Sequence, residues 1–148
     1  MGMVTINSAR ALVAFHEGCV LKAKPDAKGK WEIGYGDDRA TPGQVCTQEG
    51  AEQGLTDLLD LATRRAVLDV GPSTWSVLGV VRQAVLIDMA YELGGAGLAA
   101  FHDLIAAVRA RNWQGAVHAM QDSKWAHQVP SRAMMNEKMM FTGQWPTL

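Results

Sequence analysis

Two carboxylic acids near the start of the chain have the types and spacing for acid–base work. Eight residues separate Glu17 from Asp26. Glycoside hydrolysis uses such a pair: one carboxylic acid protonates the leaving oxygen, and the other carboxylate activates water or attacks the sugar. Spacing alone is unspecific, because the chain carries 15 acids in 148 residues and short patterns recur by chance. Most other chemistry-bearing residues crowd into 16–38. Asp26, Glu32, Asp37 and Asp38 form an acidic cluster, but it lacks the alternate ligands and sixth-position glycine of a calcium loop. It reads as a solvated acidic loop balanced by nearby lysines. His16, His102, His118 and His127 are scattered with no i, i+4 pair, so no metal site is read. Neither cysteine sits in a motif, and Gly34-Tyr35-Gly36 lacks the Lys-Ser/Thr of a phosphate loop.

The elements that must position these residues can be read from capping signals and periodicity. Ser8 is an N-cap candidate for a short helix through Leu12 and Phe15, which ends at Glu17 with Gly18 as its C′ residue. The period then changes to two. Lys22 and Lys24, then Lys28, Lys30 and Glu32, alternate with other residues, while Trp31, Ile33 and Tyr35 take the opposite face. Centred on Pro25-Asp26-Ala27-Lys28-Gly29, this pattern predicts a β-hairpin. Gly34 and Gly36 mark tight bends or close backbone approach. Residues 37–46 have loop composition.

Thr47 is the N-cap candidate of a long helix ending near Gly71-Pro72. A second helix is predicted from Ser73 or Thr74 through Val77, Val81 and Val85 to Tyr91, with Gly94 to Gly97 breaking it. Helical stretches at 101–110 and 113–121 follow. Pro130 suits N1 of a last helix, whose Met134, Met135, Met139 and Met140 read as core filling rather than an adaptable binding face. The organisation is one domain over 1–148, of α+β class. A hairpin lobe at about 18–46 joins a mostly helical body, 47–148 plus the N-terminal helix, with a cleft between them.

Composition narrows the function classes. Hydrophobic residues make up 48% and charged residues 20%, as in ordinary globular proteins. The 14 basic and 15 acidic side chains leave a net charge of −1, which argues against nucleic acid as a partner. Cys19 and Cys46 cannot form a disulfide framework, and free buried thiols are expected. No apolar run reaches the ~18 residues of a membrane span. Met1-Gly2-Met3-Val4-Thr5 shows no signal-peptide pattern.

Read together, ordered segments across nearly the whole chain resemble the phage-type lysozymes, glycoside hydrolase family 24. They are Phe15-His16-Glu17-Gly18, the Glu17–Asp26 spacing, Trp31-Glu32-Ile33-Gly34-Tyr35-Gly36, Pro42-Gly43-Gln44, Val81 to Met89, and Gly94 to Phe101. Lys124-Trp125, Pro130-Ser131-Arg132-Ala133 and Thr142-Gly143-Gln144-Trp145 complete the set. The resemblance implies a lysozyme-like fold and hydrolysis of the β-1,4 bond between N-acetylmuramic acid and N-acetylglucosamine in bacterial peptidoglycan. It implies Glu17 as general acid, Asp26 as second carboxylate, and Arg132 as the arginine that orients Glu17. It also places Tyr91 and Gly34 along the substrate cleft, with packing the main role of Tyr91. No cofactor is expected, because this chemistry uses carboxylates and water.

One position departs from the pattern. Glu32 stands where the family usually has Thr, and Asp37 where it has His. A hydroxyl can donate to Asp26 and accept from water, whereas an ionised Glu only accepts and adds negative charge. Glu32 is therefore a third catalytic candidate, as a replacement base or nucleophile. The alternative is a catalytically silent or substrate-trapping peptidoglycan-binding module. The resemblance further implies a monomer held in the host bacterial cytoplasm and released to the wall through a pore-forming holin. A toxin or a tail-borne enzyme fits the same sequence.

Overall fold

The computed structural model describes residues 4–148; Met1, Gly2 and Met3, read above for a signal sequence, lie outside the described residues. Helix α1 (Ala9–Glu17) starts where Ser8 accepts the amide of Ala11 and stops at Gly18, as predicted. Strands β1 (Val20–Pro25) and β2 (Trp31–Gly34) form a two-stranded antiparallel sheet, with Lys24 opposite Glu32, Pro25 opposite Trp31 and an irregularity after Val20. The loop that follows is more ordered than its composition implies. Its end runs back along β1, with Ala23 donating to the Gln44 carbonyl at 2.8 Å and Cys46 donating to that of Leu21 at 2.9 Å.

Helix α2 (Gln48–Val70) begins at the Thr47 cap and ends at Gly71. The single helix predicted from Ser73 or Thr74 to Tyr91 is instead two. Helix α3 (Pro72–Val77) starts a residue earlier, on Pro72, and α4 (Val80–Leu93) begins after Gly79. Gly79 takes φ of 82°, a left-handed conformation that a helix interior cannot contain. Apolar periodicity runs through both pieces and hides the break. After a 3-10 turn at Leu98–Ala100 come α5 (His102–Arg109), α6 (Trp113–Gln121), α7 (Lys124–Gln128) and α8 (Pro130–Thr142). Helix α7 was not predicted; its five residues are too few for a periodic signal, although Ser123 caps it through the Ala126 amide.

The fold is α+β and lysozyme-like: a small hairpin attached to a helical body. Helix α4 is central, packing against α1, α2 and α8. Its residues Ala84 to Ala90 are all buried, as expected for a helix apolar on every face. Leu12, Val85, Leu86, Met89, Leu104, Met120, Met139 and Met140 form the heart of the core. Two of the four methionines of α8 thus fill the core, while Met134 is exposed. Both cysteines are free, as expected, but neither is buried: Cys19 is exposed and Cys46 half-buried. They lie in the two segments that join the hairpin to the body, where little apolar cover is available. Among the described residues, no helix is long and apolar enough to cross a membrane.

Candidate active site

Glu17 ends α1 and points into the seam between the helical body and the hairpin. Its Oε2 accepts the Arg132 Nη1–H at 2.9 Å, and its side chain is 17% exposed. On the other side, the turn after β2 presses against it. Ile33 and Asp37 exchange backbone hydrogen bonds of 2.9 and 3.0 Å, which closes the turn and carries Gly36 over the carboxylate. A side-chain carbon at Gly36 would lie 2.3 Å from Glu17 Oε1, and the residue has φ of 73°. Gly36→Ala is therefore expected to lose about 1–2 kcal/mol from the left-handed backbone alone, and to displace the Glu17 carboxyl. A urea melt and a carboxyl titration of Glu17 check the two effects separately.

Arg132 is not free to swing. Its Nε and Nη2 donate to Asp88 Oδ2 and Oδ1 at 2.9 and 2.7 Å, and Asp88 Oδ2 also accepts from Asn136 Nδ2 at 2.7 Å. Asp88 is 0% exposed and Arg132 9%. The Asn136 Oδ1 lies 3.3 Å from His16 Nε2; since the Asn136 amide nitrogen already donates to Asp88, the oxygen accepts and His16 donates. The network therefore runs from the residue before Glu17, through α8 and α4, and back to Glu17.

Two opposing effects act on Glu17. Burial pushes its carboxyl above the ordinary glutamate range, and the Arg132 guanidinium pulls it down; burial wins, aided by Asp88 and Glu92. A half-buried carboxyl kept protonatable beside a hydrogen-bonded arginine is what a general acid requires. Burial also raises Glu92, one turn beyond Asp88 on α4, against the pull of Arg132. Burial lowers His16, with Asp88 pulling the other way.

Asp26 lies in the hairpin turn. Its Oδ1 accepts the amides of Lys28 and Lys30 at 2.8 and 2.9 Å, and Oδ2 has no protein partner among the described residues. One oxygen thus fixes the carboxylate to the turn and the other is available to solvent. Asp26 and Glu17 make no direct bond. Glu32 is placed across the sheet from Lys24, whose Nζ lies 3.8 Å away. Lys30 pairs with Asp38 at 3.5 Å. Asp37 binds Arg39 through both oxygens at 2.8 Å, and these bonds hold its carboxyl below the usual range. Three of the four acids of the cluster, Glu32, Asp37 and Asp38, are thus paired with bases of their own lobe, while Asp26 is held by backbone amides.

Tyr91 donates its hydroxyl to the Tyr35 carbonyl at 2.5 Å, tying α4 to the turn that carries Gly36. Its phenol is pushed upward by burial and by the negative charge of Glu17 and Asp37. Tyr91 and Gly34 both border a cavity of about 150 Å³ between the hairpin and α2, which Glu17 and Asp26 do not line. A side-chain carbon at Gly34 would meet Ala51 at 3.4 Å, so its place is against α2. The close backbone approach read for Gly36 is met against Glu17, whereas Asp88 and Asn136 carried no assigned role in the sequence. The available signal was a lone acid inside a run of apolar residues, since a buried charge demands a partner.

Among known proteins, the chain is similar to the pre-baseplate central spike protein Gp5 of Enterobacteria phage T4, with 31% identity over 103 residues. Those residues are 69% of this chain and 18% of that relative, so the chain spans under a fifth of its length. Residues 14–138 match the phage lysozyme family. That span runs unbroken from the helix bearing Glu17 to the one bearing Arg132, and the chain belongs to the phage lysozyme family.

Proposed function

We propose that the chain is a peptidoglycan hydrolase that cleaves the β-1,4 bond between N-acetylmuramic acid and N-acetylglucosamine. The observation that carries this reading is the Glu17 carboxyl: half-buried, gripped at Oε2 by Arg132 and raised above its ordinary range. Family membership supplies the substrate class. In this reading Glu17 Oε1, the oxygen that Arg132 does not engage, holds the proton. It passes to the glycosidic oxygen as that oxygen leaves the muramic-acid C1. Asp26, anchored by Oδ1, uses Oδ2 to orient the water that adds to C1 and to take its proton. Return of that proton to Glu17 through solvent resets the site.

Digestion of purified sacculi tests the reaction class. Soluble fragments with a reducing muramic-acid end, one water heavier than the anhydro form, are expected. Anhydro ends, or no fragments from sacculi that bind the protein, would overturn it.

Glu32 bears on the rival reading of a silent or trapping binder. Its one ion-pair partner among the described residues is Lys24, across the sheet at 3.8 Å. Glu32→Thr is expected to raise lysis by on the order of tenfold, because the hydroxyl gives Asp26 a donor that the carboxylate lacks. A fall would make Glu32 a participant, and lysis appearing from none would make the present chain a binder.

Delivery follows one of two routes in this reading: a holin pore after accumulation of monomer in the host cytoplasm, or carriage on a phage particle. The name of the spike-protein relative supports the second. Purified particles containing the chain would favour it, and free cytoplasmic protein the first.

A further inference from the structure

Arg132 sets a problem that the acid role of Glu17 does not solve. A guanidinium 2.9 Å from a half-buried carboxyl favours the ionised form, and an ionised Glu17 has no proton to give. The geometry around the arginine offers an answer. Both oxygens of Asp88 face it, at 2.7 and 2.9 Å, from the fully buried side, and Asn136 fixes one of those oxygens. Only Nη1 is directed at Glu17.

We propose that Asp88 is a positioning residue that neutralises Arg132 from within the core, so that the guanidinium orients Glu17 without holding it ionised. Arg132 then acts on Glu17 chiefly as a hydrogen-bond donor to Oε2. The proton is left to Oε1, under the backbone of Gly36. The inference rests on the general-acid reading of Glu17. The charged and titratable groups around Glu17 are His16 on its own helix, Asp88, Tyr91 and Glu92 on α4, and Arg132 on α8. On the hairpin side the near residue is Gly36, with Asp37 beyond it, already paired to Arg39. Asp88 alone among these acids binds the guanidinium through both oxygens. Burial supports the outcome, since the net direction for Glu17 is upward despite Arg132.

The test is a carbon-13 NMR titration of the Glu17 side-chain carboxyl in the full chain, beside the pH profile of sacculus lysis. In the wild type, Glu17 is expected to titrate above the ordinary glutamate value. A midpoint below it would mean that the guanidinium dominates, and would overturn the proposal without any variant. In Asp88→Asn, the midpoint is expected to fall by about one pH unit, a tenfold stronger acid, and the alkaline limb of the lysis profile to move down with it. An unshifted or raised midpoint in folded Asp88→Asn would also overturn it. A merely structural Asp88 would scale lysis evenly at all pH values and leave the midpoint in place. The titration reads Glu17 whether or not it is the acid. Lysis that survives Glu17→Gln would therefore sink the functional reading and leave the charge-balance result standing.

Discussion

Glu17→Gln is expected to abolish sacculus lysis while raising the stability of the folded chain at pH 7. The loss follows from the chemistry. The amide cannot deliver a proton to the departing oxygen, and general-acid participation is worth roughly 10²–10⁴-fold in rate. The gain follows from the environment. Burial raises the Glu17 pKa in the folded chain, so the native state binds that proton more tightly than the unfolded one. Stability from this group is present in acid and is lost as pH rises from the ordinary glutamate value through the folded one. Gln is uncharged throughout, and its carbonyl oxygen can still accept from Arg132 Nη1 at the 2.9 Å position. Wild type and variant should therefore melt alike in acid and diverge as pH rises from the ordinary glutamate value to the Glu17 midpoint, with the variant higher and the gap constant above it. Urea melts at two pH values, with turbidity assays beside them, measure both effects. Lysis retained within tenfold would remove Glu17 as the acid, and a variant less stable at neutral pH would show that the ion pair outweighs the burial of charge.

Local chemistry made much of this fold legible. Ser8, Thr47 and Asn112 sit where their side chains accept the first free amides of α1, α2 and α6. Period-two alternation around Pro25 to Gly29 marks a hairpin whose turn Asp26 closes with its own side chain. Glu17 could be placed because a Gly follows it at the end of an apolar run. The break at Gly79 escaped because apolar spacing continues across it and one glycine costs a helix only about 1 kcal/mol. The support of the site was less legible still. Arg132 lies 115 residues from Glu17 and 44 from Asp88, and no local period encodes a pairing between the end of α1, the middle of α4 and the start of α8. Asn136 stands one turn after Arg132, which becomes informative only once both are seen to face Asp88. Likewise the close approach legible at Gly36 gains its partner only when the Glu17 carboxylate is placed beneath it.

Arg132→Leu is expected to cost more stability than any change at Glu17, on the order of 3–5 kcal/mol. The reason lies in α4 rather than in the cleft. Asp88 is 0% exposed, surrounded along its helix by Val85, Leu86, Ile87 and Met89. Without the guanidinium, its carboxylate keeps only the Asn136 amide at 2.7 Å and remains in the core as an anion without a counter-charge. The unmatched charge, not the absent contacts, produces the loss. Removing the charge as well should therefore restore stability: Arg132→Leu with Asp88→Leu is expected to recover most of it, because an apolar pair of similar volume replaces a buried ion pair at little net cost. Both variants should lose lysis, since neither retains the donor that orients Glu17. Urea denaturation of the two single variants and the double variant at pH 7 gives the coupling directly. A loss under 1 kcal/mol in Arg132→Leu would show that water reaches Asp88, whereas a double variant as unstable as the single one would place the cost in packing of the leucines. Stability and activity then divide along the same network: Asp88 and Arg132 hold the core of α4 and α8 together, and the one donor that they leave over is the one that holds Glu17.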